Sequence, residues 1–228
     1  MKRLTPPLRF VFINGRNAGG KDTQADLLIN GDKTAFKISP GQLLRDSENP
    51  AHPYHKHFRK YLDYLVDGKL VNPDLLTGIL SRIVDSEIRR GKRTIIFTGY
   101  PREARSLQLM ELHIDHLKGR GHRVSKQFVL IDIDEEHSRE RNTQRNANAE
   151  ALGLPIRADD TPEGLEKRLA TFSEQTLPLL DRLNRMGRLI VVDGRGAVSE
   201  TQRELRGALR WKMHSSIEGN PQNPMMRR

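Results

Sequence analysis

Residues 12–23 read FINGRNAGGKDT. This is the frame GxxxxGK, set between an apolar run and a helix-forming stretch, and it is the strongest constraint on the fold. Gly15, Gly19 and Gly20 let a backbone wrap closely round an oxyanion. The amide N–H groups turn inward, with the positive end of a helix behind them. Lys21 then reaches for terminal phosphates. The motif requires a strand entering the loop and a helix leaving it, and both are legible. Residues 8–14, LRFVFIN, read as a buried strand ended by glycine, and a helix begins at Lys21 and runs to about residue 29. The residue after the lysine is Asp22, where serine or threonine is usual.

Downstream, short apolar runs at 34–38, 94–97, 128–133 and 189–192 read as four more strands. Helices are expected between them: a short one from SPGQLLRD, one over 52–66 with Phe58, Leu62 and Leu65 at helical spacing, and one over 73–90 capped by Asn72. Further helices are expected at 102–119, 135–146, 161–186 and 199–213, with Pro178 kinking or splitting the third of these. Residues 146–156 read as a loop, and 214–228 as a disordered tail. Strands alternating with helices imply an α/β fold with a parallel five-stranded sheet flanked by helices, of the P-loop NTPase type. Ligands in such folds bind at the carboxyl ends of the strands. The phosphate loop, TGYPR at 98–102 and DGRG at 193–196 all follow strands, so they gather at one edge of the sheet.

Composition narrows the function classes. The chain of 228 residues carries 39 Lys and Arg against 29 Asp and Glu, a net charge of +10, which favours polyanions or phosphorylated ligands. It has no cysteine, so disulfides and thiolate metal sites are excluded. No window approaches about 18 consecutive apolar residues, so no transmembrane helix is expected. The opening MKRLTPPLRFVFING lacks the long apolar region and cleavage site of a signal peptide. A soluble cytoplasmic protein is expected. No nucleic-acid motif is recognisable, and the single tryptophan, Trp211, reads as core packing. The histidines of HPYHKH, residues 52–57, read as a solvated face rather than a metal site.

Taken in order over about residues 10–198, the motifs resemble those of the adenylate kinase family, the nucleoside monophosphate kinases. GGKDTQ is similar to the family's GxGKGTQ loop, which also lacks a hydroxyl residue directly after the lysine and has threonine one place later, as Thr23 here. ISPGQLLRD looks like ISTGDLLRxE, and DGKLVNPDLL looks like the segment lining the monophosphate pocket. TGYPR looks like DGFPR, and RERNTQR, RADDTPEGLEKRL and VVDGRG fall at three further family motifs. The resemblance implies transfer of the γ-phosphoryl group of ATP, bound with Mg2+, to a nucleoside monophosphate, AMP before UMP or CMP. It places Arg45, Lys69, Leu70, Val71, Gly99, Arg102 and Ser106 at the monophosphate. Gly15, Gly19, Gly20, Lys21, Asp22, Thr23, Arg141 and Gly196 fall at ATP. Lys21, Arg102, Arg145, Arg157 and Arg168 fall round the transferring group, where planar, permanently charged guanidinium forks grip phosphate oxygens. No protein metal ligand is implied. A small helical insertion near 39–68, a short lid near 142–158 and a monomeric state are also implied, within one kinase domain over 1–213.

The departures from that pattern are specific. Thr98 stands where the family has an aspartate that orients water on Mg2+, and Gln42 replaces the acid of STGD. Pro40 replaces its threonine. Residues 16–18, Arg-Asn-Ala, drop one family glycine, for which Gly19 is expected to compensate in part. Ser106 stands at the base-reading position, glutamine in adenylate kinases and asparagine in UMP/CMP kinases. Asp22 replaces a glycine. At about 100° per residue it is expected to point away from the face presented by Lys21 and Thr23, with its carboxylate suiting the helix dipole. Two readings follow: a divergent but active kinase, or a protein that binds nucleotide without turnover.

Overall fold

The sheet is built outward from its most apolar strand. The computed structural model describes residues 6–211, and the reading of 214–228 as a tail lies outside them. The strands are β1 (Leu8–Asn14), β2 (Ala35–Ile38), β3 (Thr94–Thr98), β4 (Val124–Asp132) and β5 (Leu189–Asp193), in the order β2-β3-β1-β4-β5. Every neighbouring pair is parallel. A central parallel strand is buried on both faces, which is why β1 reads as an unbroken apolar run. Phe10 and Phe12 face one layer with Phe97 and Phe128, and Phe12 stacks on both, ring centroids 5.1 and 4.9 Å away. Val11 and Ile13 face the other layer with Ile96, Val129, Ile131 and Val192.

The helices cover those faces. α1 (Lys21–Ile29) supplies Ala25 and Leu28 to the second layer. α2 (Pro40–Asp46) follows β2. Residues 52–66, expected as one helix, form α3 (His55–Phe58), a 3-10 turn (Arg59–Tyr61) and α4 (Asp63–Val66). Histidine, tyrosine and phenylalanine are weak helix formers, and no side chain caps α3 or the turn. The segment is held by packing instead: Phe58 is buried in a small separate core with Leu44, Val71 and Ile79. α5 (Pro73–Arg89) begins as expected, with the Asn72 side chain accepting from the Leu75 amide at 3.0 Å. α6 (Ala104–Gly119) packs Met110, Ile114 and Leu117 on the phenylalanine layer.

β4 starts four residues before the expected Phe128. Its first half, Val124–Gln127, has a polar sequence with no apolar run, and the ladder to β1 makes it a strand. α7 (Glu135–Ala151) runs five residues past the expected 146. Alanines at 147, 149 and 151 favour helix, and the side chains of Asn142 and Asn146 both donate to the Asp160 carbonyl. Only the end of the segment expected as a loop is therefore irregular. α8 (Pro162–Thr171), a wide π turn (Phe172–Thr176) and α9 (Leu177–Arg185) form one interrupted helix. Pro178 has no N–H to give and its ring crowds the preceding turn, so the helix widens there. α10 (Val198–Ala208) is shorter than expected. Trp211 lies beyond its end, packed against the second layer under the Arg9 guanidinium, 4.5 Å from the ring centre.

Candidate active site

The first strand delivers the phosphate loop to the carboxyl edge of the sheet. Gly15 has φ +151°, and a Cβ there would lie 2.4 Å from the Ile131 carbonyl oxygen, so the loop can leave β1 beside β4 only as glycine. Gly20 precedes α1 in the left-handed region at φ +80°. The other left-handed residue is Ala18, φ +55°, while Gly19 is not in that region. Gly19 therefore does not compensate for the missing glycine; Ala18 carries the strain itself. A left-handed alanine costs about 1–2 kcal/mol, and glycine's greater freedom in the unfolded chain returns roughly 0.5–1 kcal/mol. Ala18→Gly is expected to stabilise the protein by roughly 0.5–1 kcal/mol. Urea unfolding tests this, and an unchanged or lower midpoint would contradict it.

Two clefts open at this edge and meet at the loop, sharing Ala18 and Arg145. The first, about 150 Å³, lies on the β3 side. It brings together Lys21, Asp22, Arg45, Lys69, Leu70, Val71, Gly99, Arg102, Ser106, Arg145, Arg157 and Arg168. The second lies on the β4 side and is lined by Gly19, Gly20, Thr23, Arg141 and Gly196. Gly15 lines neither cleft; its carbonyl instead accepts the Lys21 ammonium at 2.9 Å. Arg16 turns away, donating to the Ile133 carbonyl at 2.8 Å and lying over the Phe172 ring.

Asp22 departs from expectation. Lys21 and Asp22 line the same cleft, and Thr23 opens on the other. The local cause is Thr98, whose hydroxyl donates to Asp22 Oδ1 at 2.7 Å and draws the carboxylate toward the end of β3. Partial burial, which strips water from the carboxylate, pushes the Asp22 carboxyl up. The Thr98 hydroxyl, Lys37 and Lys21 outweigh that, and the group sits below its ordinary value.

The cations fall into two sets. Arg168 and Arg145 are aimed by buried carboxylates. Arg168 donates to Asp159 at 2.8 Å and to Asp160 at 3.0 Å, and Arg145 donates to Asp160 at 2.8 Å. Arg45 stands 3.6 Å from Asp159. By contrast Lys21, Arg102 and Arg157 make no ion pair among the described residues. Lys21 donates to the Gly15 and Arg16 carbonyls and Arg102 to the Gly99 carbonyl. Burial, then the neighbouring Arg168 and Arg45, pull Arg102 below its ordinary value. Burial, then Arg102, with Arg145 and Arg168 adding and Asp22 opposing, push Lys21 down to about 7. The cleft is thus overcharged with positive groups, a condition that phosphate oxygens relieve.

Other residues singled out from the sequence have structural partners. Gln42 does not line the first cleft; its amide donates to Asp46 at 2.7 Å and its carbonyl accepts from Arg45 at 3.2 Å. Lys69 is exposed and paired with Asp67 at 2.9 Å. Ser106 is buried, its hydroxyl donating to Glu103 at 3.1 Å. Arg141 bridges to the Arg195 carbonyl at 3.1 Å, tying α7 to the loop after β5. His52 and His55 both bond to Ser47, and no cluster of three metal-ligating side chains exists among the described residues. Three site residues escaped the sequence reading. Asp159 and Asp160 lay inside the quoted RADDT motif and were readable as partners of its arginines. Glu103, which lines the first cleft, had no signal.

Comparisons with known proteins agree on one group. The family model described as Adenylate kinase matches residues 13–188. The chain is 30% identical over 209 residues to an adenylate kinase of Nitrobacter winogradskyi, covering 89% of this chain and 93% of that protein. It is 29% identical over 197 residues to a UMP-CMP kinase of Sus scrofa, covering 84% and 92%. It is 30% identical over 195 residues to the UMP-CMP kinase of Mus musculus, covering 83% and 91%.

Proposed function

We infer, from the premise that this chain belongs to the adenylate kinase family and is a nucleoside monophosphate kinase, that its acceptor is AMP and its reaction ATP + AMP giving two ADP. The supporting observation is the pair of clefts joined at Ala18 and Arg145, with three cations of the first that make no ion pair among the described residues. Two anionic substrates need to meet in line, with charge neutralised as the phosphoryl group passes. ATP occupies the second cleft and the loop, held by Gly19, Gly20, Thr23, Arg141 and Gly196. The monophosphate occupies the first, met by Arg45, Lys69, Leu70, Val71 and Arg102, with Ser106 at the base. Lys21, Arg102, Arg145, Arg157 and Arg168 surround the moving group. The attacking oxygen belongs to the monophosphate, so the protein contributes alignment and charge rather than a nucleophile.

Segment 39–68 serves as the acceptor-binding insertion and 142–158 as a short lid that excludes water. Magnesium enters with ATP. It takes oxygen ligands and keeps several waters, needing only one or two carboxylates, and Asp22 in the first cleft fits that need. Bound with ATP, it neutralises charge on the β- and γ-phosphates. No helix among the described residues is long and apolar enough to cross a membrane. A cytoplasmic monomer is the working assignment.

Purified protein with ATP and Mg2+, offered AMP, CMP, UMP, GMP and dTMP separately, tests the reading by diphosphate formation. AMP is expected to react fastest. Preference for UMP or CMP would move it to the other set of relatives. ATP binding without any turnover would favour the binding-only reading.

ATP binding is also expected to take up a proton. Lys21 sits at about 7 in the free protein, and the polyphosphate raises it again. Between pH 8 and 9 the γ-phosphate is already ionised, so affinity should fall by up to roughly tenfold per pH unit. Below pH 7 this group imposes no dependence. Calorimetry in two buffers of different ionisation enthalpy reads the uptake. No uptake at pH 8, or uptake that persists in Lys21→Ala, would contradict it.

A further inference from the structure

Three carboxylates line the first cleft, Asp22, Glu103 and Asp159. Asp159 is taken by Arg168 at 2.8 Å. Glu103 sits beside Ser106, away from the loop. Asp22 is the one next to Lys21. Its side chain is about half exposed and its nearest ammonium, Lys37, stands 3.6 Å away, so it remains open to the cleft. Its position is fixed from the side. Thr98 is buried at the carboxyl end of β3, in register with Ile13 of β1, and its hydroxyl holds Asp22 Oδ1.

Positions 22 and 98 therefore form one unit. They lie on different elements, one opening α1 and one ending β3, yet their side chains touch at 2.7 Å. The unit holds one carboxylate and one neutral hydroxyl. An acid at 98 with a small residue at 22 would put a carboxylate in the same corner by the opposite assignment. An acid at both would place two like charges in direct contact. With threonine at 98 and aspartate at 22, the contact carries its negative charge on the α1 side.

We propose that Asp22 holds the water shell of the ATP-bound magnesium ion, with Thr98 as its positioning residue. The proposal rests on the phosphoryl-transfer reading above for the identity of the nucleotide. A divalent cation suits the position because the carboxylate is hard, ionised and beside the lysine that meets the phosphates. One such group suffices for an ion that keeps most of its waters.

The test is a binding titration that needs no turnover. ATP affinity is measured for the full chain across a Mg2+ series and in EDTA, and the Mg2+ concentration giving half the gain in affinity is read. Asp22→Asn and Asp22→Gly are expected to raise that midpoint roughly 10–100-fold, while affinity in EDTA does not fall. Thr98→Val is expected to raise it by less, and Thr98→Ser to restore it. The decisive variant is the exchange D22G/T98D, which should recover the wild-type midpoint to within a few fold. Asparagine keeps the shape of Asp22, so a folding defect in the glycine variant leaves the test intact. A midpoint unmoved by Asp22→Asn would overturn the proposal, as would an exchange variant no better than D22G. If Mg2+ dependence behaves as described while no monophosphate is phosphorylated, the kinase reading fails and the metal assignment stands.

Discussion

Lys21→Ala is expected to lower phosphoryl transfer by roughly 10³-fold or more, the loss typical when a charge stabiliser of the transferring group is removed. The stability of the fold should not fall with it. Lys21 is held in the free protein against the loop carbonyls, pushed down to about 7 by burial and by Arg102, Arg145 and Arg168. Removing an ammonium from among three guanidinium groups relieves repulsion and strands no anion, since Asp22 keeps Thr98 and Lys37. Loss of turnover with an undiminished melting temperature would therefore mark a group whose interactions are made with substrate. Turnover within tenfold of wild type would show that the arginines carry the charge without it.

Asp160→Asn acts in the opposite way, on the fold as well as the reaction. Asp160 is 1% exposed and carries both Arg145 and Arg168 at hydrogen-bond distance. An amide of the same shape takes away the carboxylate partner of Arg145 and one of the two that Arg168 has. Removing one partner of a buried ion pair costs about 3–5 kcal/mol. The melting temperature is expected to fall by roughly 10 °C for a chain of this size. Turnover should fall by about 10²-fold, because both forks lose their aim at the phosphoryl group. Saturating ATP should raise the melting temperature of the variant by more than that of the wild type, since its phosphates supply the missing negative charge. Equal gains would show that the two arginines do not meet ATP.

Much of this was legible from the chain because it rests on local rules. The run of residues 8–14 is buried on both faces and so reads as a strand in any window. α1 begins at the lysine and α5 at its proline, where the sequence placed them. What was not legible depends on contacts between distant residues. The first half of β4 is polar and is a strand only because β1 lies beside it. Residues 52–66 have helical spacing, yet their weak propensity leaves the shape to Phe58 and its small core. The direction of Asp22 is the clearest case. Helical geometry alone turned it away from Lys21, and one hydroxyl from position 98 turned it back. Ala18 is similar: composition shows that a glycine is missing, but only the backbone shows which residue takes the left-handed place.

The wide turn at Phe172–Thr176 sets a phase. α9 is anchored by Leu179, Leu180 and Leu183, and α8 carries Arg168 into the cleft. A π turn holds one residue more than a regular helix would between the same ends. Deleting a single residue from this stretch would therefore let a regular helix run between the same ends, with Arg168 and the leucines still in phase. The same deletion within α8 or α9 would instead rotate one half against the other by about 100°, and either the leucines would leave the core or Arg168 would leave the cleft. The turn is the slack in this gear, the one stretch where the helix takes up an extra residue and keeps the arginine engaged.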